Sequence, residues 1–140
     1  MKNYSLFIWL LCLFGLVNIN SQELPPIKIY TPEIYGAENQ NWSISQCGDK
    51  FIYVANNKGL LEFNGEKWKL YNSPSGKMRS VNVIDNYIYT GSYREFGYWL
   101  RNELGDLIYT SLSKRLKIEF LEDEEFWNII NLDNYVLFQS

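Results

Sequence analysis

The sequence predicts an all-β fold. Apolar residues alternate with a period of two over short runs, and Gly, Asn and Asp punctuate those runs every few positions. One four-strand layout recurs along the chain, and no window has a sustained helical period; only Leu112 to Glu119 is ambiguous, with room for one turn. Repeats of ~40–50 residues holding four strands each are the signature of β-propeller blades. The expected architecture is therefore an incomplete β-propeller of four-stranded blades.

The elements follow in order. Leu24-Pro25-Pro26 reads as a stiff spacer, and Ile27 to Tyr30 as a short strand before Pro32. Trp42-Ser43-Ile44 alternates, and Phe51-Ile52-Tyr53-Val54 is a β-rich run between Gly48-Asp49 and Asn56-Asn57. Leu60 to Phe63 forms a third strand. Asn64-Gly65 gives a hairpin signal, because both residues tolerate positive φ, and Lys67 to Tyr71 closes the set.

Asp85 to Ser92 then repeats Asp49 to Asn56 at an offset of 36 residues, and Asp133 to Ser140 repeats it again 48 residues later. Each copy has an acidic turn, then an aromatic, then a β-branched residue. Each follows an apolar strand: Trp42 to Ile44, Val81 to Ile84, and Trp127 to Leu132. Phe96 to Trp99 and Leu107 to Thr110 complete the second set. The third copy stops where the first continues into two more strands, so the expectation is about two and a half blades, the N-terminal part of a ring that needs ~4–8.

Residues 1–22 read as a secretory signal peptide. Lys2 supplies the charge, and Leu6 to Val17 is an apolar stretch too short to span a bilayer comfortably. Residues 23–40 form a lead-in, and 41–140 form the blades. Cys12 falls within the signal, which leaves Cys47 as a single thiol with no intrachain partner. An exported chain without a bridge fits a bacterial envelope.

Composition narrows the function. The 140 residues carry a net charge of -3, and a mildly acidic chain is a poor match for direct nucleic-acid binding. There is no histidine, which excludes His-based triads and His-ligated zinc or haem. Glu122 to Glu125 reads as a solvated loop and lacks the spacing of a calcium loop. No catalytic residues, metal ligands or cofactors are assigned.

Aromatics make up 17% of the chain, and most recur at strand positions suited to packing between blades. Trp42 and Trp127 begin innermost strands and Arg79 precedes one, which in a propeller lies near the mouth of the central channel. Rings that stack on sugar faces, with an Arg fork for a carboxylate or sulfate, suit an acidic oligosaccharide. Tyr93 and Arg94, in a loop between strands, form a second candidate.

Trp42-Ser43-Ile44-Ser45-Gln46, Gly48-Asp49, Phe51 to Asn56 and Gly59 to Phe63 together resemble the two-component-regulator propeller repeat. Tyr30 to Trp42 resembles the start of the propeller in Bacteroidetes sensor and regulator proteins with a triple-tyrosine domain. The sequence departs from the repeat at Gly48-Asp49-Lys50, where the usual turn has its glycine after the aspartate. The resemblance implies a periplasmic sensory module that performs no chemistry. It also implies that the remaining blades, a triple-tyrosine domain, a membrane helix and a kinase or helix-turn-helix follow in the longer chain, with room for a homodimer. A structural or adhesive surface propeller is the alternative, and a polysaccharide-degrading enzyme the third.

Overall fold

Antiparallel strands joined by connections of two to five residues build most of the described chain. The computed structural model describes residues 24–46, 48, 50–116 and 119–140. The expected signal peptide, Cys12, Cys47 and Asp49 lie outside the described residues. The first sheet runs β1 (Asn41–Gln46), β2 (Ile52–Asn56), β3 (Gly59–Phe63) and β4 (Trp68–Asn72), in that spatial order. The second runs β5 (Met78–Ile84), β6 (Tyr87–Ser92), β7 (Glu95–Arg101) and β8 (Leu107–Ser111), again in chain order. β9 (Asn128–Leu132) and β10 (Tyr135–Gln139) form a two-stranded sheet. Among the described residues, two single-turn helices, α1 (Pro32–Tyr35) and α2 (Ser113–Leu116), complete the elements, and α2 lies in the one window that is ambiguous in sequence.

The expected strand over Ile27–Tyr30 does not form. Pro25, Pro26 and Pro32 remove backbone donors on both sides of it, and proline resists continuous pairing. The lead-in covers one face of the first sheet instead, with Tyr30 edge-on to Phe63 and Trp68 and Tyr35 tilted against Trp68. Buried Asn56 fixes this segment: its Nδ2 donates to the carbonyls of Glu38 and Gln40, and its Oδ1 accepts from the Glu38 and Lys58 amides.

The Asn64-Gly65 signal marks a hairpin, but the loop has four residues, because Phe63 pairs with Trp68. Asn64 Oδ1 accepts from the Glu66 and Lys67 amides, which holds the wider turn. The aromatics that follow the acidic turn in the second and third copies, Tyr87 and Tyr135, occupy strand positions suited in sequence to packing between blades, but both are exposed.

The main core lies between the first two sheets and includes Tyr53, Leu60, Met78, Ile88 and Trp99. Serine side chains stitch the two first strands together. Val81 and Val83 amides donate to Ser43 Oγ and Ser45 Oγ, at 3.3 and 3.0 Å. β5 repeats the device toward β9: Ser80 Oγ donates to the Phe126 carbonyl, and Asn82 Nδ2 to that of Ile129. Thus β1, β5 and β9 run side by side in one direction, each at the edge of its own sheet. Gly91 makes the second approach close, since a Cβ there would sit 2.7 Å from Phe126 Cβ.

Candidate functional site

The register of the first two sheets contains matched irregularities. Asn41 pairs with Asn56 and Ser43 with Ala55, so Trp42 is the extra residue of a bulge. Met78 pairs with Ser92 and Ser80 with Gly91, so Arg79 is the extra residue at the same place in the second sheet. A bulge re-aims the side chain of its extra residue. In the third sheet Trp127, whose amide donates to the Gln139 carbonyl at 2.9 Å, immediately precedes β9 and takes the matching position.

These three side chains meet. The Arg79 guanidinium carbon lies 4.4 Å from the Trp42 ring centroid and 4.8 Å from that of Trp127, and the two indoles contact edge-to-face at 5.6 Å. A cation over each ring contributes about 1 kcal/mol at such partly exposed sites. Trp42 Nε1 donates to Asn57 Oδ1 at 2.8 Å, which fixes that indole from behind. Both indoles keep a large exposed fraction, 41% for Trp42 and 44% for Trp127, while Arg79 is buried.

The Arg79 fork is not open, as a direct ligand fork would have to be. Its Nε and Nη2 each donate to one oxygen of Glu125, both at 2.9 Å. Its Nη1 is buried and has no hydrogen-bond partner among the described residues. Glu125 therefore belongs to the site, and sequence reasoning missed it by treating Glu122–Glu125 as one solvated run. Burying Arg79 requires a counter-charge, because an unpaired buried cation is costly.

The second candidate adjoins the first through the same loop. Tyr93 and Arg94 form the two-residue turn between β6 and β7, with Arg94 left-handed at φ 50°. The Tyr93 hydroxyl donates to the Glu122 carbonyl, and Tyr93 bridges to Glu125. Arg94 donates from its amide to the Glu124 carbonyl and from Nη2 to that of Phe120. Each of these two side chains thus makes a hydrogen bond to a backbone carbonyl of the 120–125 segment. Their role here is to hold the loop that delivers Glu125.

Among the described residues no group of three or more His, Cys, Asp or Glu converges as a metal site, and no helix is long and apolar enough to cross a membrane. Comparison with known protein families, with curated proteins and with solved structures finds no match.

Proposed function

We propose that this chain is the N-terminal part of a β-propeller that serves as an exported, periplasmic sensory module of a membrane-spanning signalling protein, and that it binds a carbohydrate signal at the Trp42–Arg79–Trp127 cluster. One observation carries the reading: three repeat-equivalent positions converge at one end of three adjacent first strands. Radial repetition around an axis brings equivalent residues together in this way, whereas unrelated sheets have no reason to. The exposed apolar side chains of the β9–β10 hairpin, Leu132, Tyr135 and Leu137, fit a sheet that further strands cover.

Half-exposed indoles offer flat apolar faces to sugar rings, and polar groups beside them orient the hydroxyls. A ligand that favours one arrangement of the propeller and the domain after it biases signalling by population shift. The test is calorimetric titration of the intact exported protein with plant and host glycans, next to Trp127→Ala. The reading expects saturable binding that the substitution weakens by tenfold or more. Absence of binding across the panel, together with an unchanged cellular response of Trp127→Ala, would overturn it.

A further inference from the structure

We propose that the Trp42–Arg79–Trp127 cluster is a site for an anionic group, a carboxylate or sulfate, and that Glu125 occupies it as an internal stand-in that the ligand displaces. This deepens the binding-module reading above and rests on it for the origin of the ligand.

The chemistry of the contact is that of anion recognition. A guanidinium packed over two rings is held in place, and its Nε and Nη2 form the paired donors that match a carboxylate or sulfate. Glu125 meets that edge with both oxygens, as a ligand carboxylate would.

The two partners are unequally placed. The Arg79 side chain is 10% exposed and its Glu125 counterpart 20%, so the carboxylate has the easier path to water. Glu125 also arrives on a segment without regular secondary structure, tied down by Tyr93 and Arg94 through main-chain contacts. Glu122, Asp123 and Glu124 precede it, and like charges in a row favour release into solvent.

A tethered carboxylate competes at an effective concentration on the order of millimolar or higher. A simple anion therefore displaces it poorly. A ligand whose ring also covers the exposed parts of Trp42 and Trp127 adds contacts that Glu125 does not make, and so displaces it. The ligand class is a ring with an apolar face bearing an anionic group. Release of the Glu125 carboxylate removes one tie on its loop, while the contacts of Tyr93 and Arg94 with that loop's main chain remain.

The test follows the indole N–H resonances of Trp42 and Trp127 in the full chain during titration with sodium sulfate and, separately, sodium acetate. Sodium chloride at matched ionic strength removes the contribution of screening. Glu125→Gln should lower the half-saturating concentration of sulfate, acetate or both at least tenfold relative to wild type. Adding Arg79→Gln to that variant should abolish the response. If Glu125→Gln fails to fold, Glu125→Asp, with its carboxylate one methylene shorter, should show the same shift to a smaller degree. Equal anion responses in wild type and the Glu125 variants, or a response that survives Arg79→Gln, would overturn the proposal. Failure of glycan binding with success here removes the carbohydrate reading alone, and the reverse result removes only the displaceable Glu125.

Discussion

Trp42 and Arg79 hold the same bulge position in successive sheets, and the guanidinium of one lies 4.4 Å from the ring centroid of the other. The contact joins two repeats at one end of their first strands. Ser43 and Ser45 join the same strands further along, and the outer strands carry their own links.

The outer links differ in burial, and their energies should differ accordingly. Arg101 donates to Glu62 and to the Tyr53 hydroxyl and lies over Phe51, which ties β7 to the first sheet. Glu62 is buried, so Arg101→Ala should cost about 2 kcal/mol through an orphaned carboxylate and lost packing. Lys69 and Asp106 also pair between the sheets, but both are largely exposed. Lys69→Met should leave stability unchanged within error, because surface pairs contribute little. Urea unfolding of both variants checks the contrast.

Gly91→Ala should destabilise by about 2–3 kcal/mol. The new Cβ would meet Ser80 Oγ at 2.5 Å and the Phe126 carbonyl at 2.8 Å, where the second sheet approaches β9. The measurement is the urea midpoint, with Gly105→Ala as the comparison at a site that has open space but a φ of 87°.

Asn56→Ala should cost about 3 kcal/mol, because it leaves buried backbone groups of Glu38, Gln40 and Lys58 without their partner. Hydrogen exchange should rise at the Glu38 and Lys58 amides, which marks the lead-in as released.

Stability should fall in alkali. Burial of Tyr109, aided by its hydrogen bond to Glu95, raises its pKa far above the usual phenol range. The folded pKa exceeds the unfolded value of about 10, so the contribution is complete below about pH 10 and is lost as pH rises beyond it. The limiting slope is about 1.4 kcal/mol per pH unit. Thermal unfolding against pH should show this decline, and Tyr109→Phe should make it shallower while costing about 1 kcal/mol at neutral pH.

Strand identities were legible because alternation and turn residues act locally: the runs around Tyr53, Leu61 and Tyr89 sit within β2, β3 and β6. Trp42, Arg79 and Trp127 were legible as one group because the repeat places them at equivalent strand starts. Their bulges were not, since a bulge is a mismatch between two strands and leaves no mark on one of them. The same holds for Glu125, whose partner lies 46 residues away, and an acidic run looks identical whether or not one carboxylate turns inward. The helix over Pro32–Tyr35 escaped notice because four residues carry no periodicity, although Pro at its start and left-handed Gly36 at its end are ordinary boundary signals.

The central claim is that repeat-equivalent residues converge, and a double-mutant cycle between Trp42 and Trp127 tests it most directly. Both rings contact Arg79 and each other, although Trp42 belongs to the first sheet and Trp127 adjoins the third. Unfolding free energies of Trp42→Leu, Trp127→Leu and the double variant should give a coupling energy of about 1 kcal/mol. Additivity within about 0.3 kcal/mol would show that the two residues do not share a site, and would contradict the account.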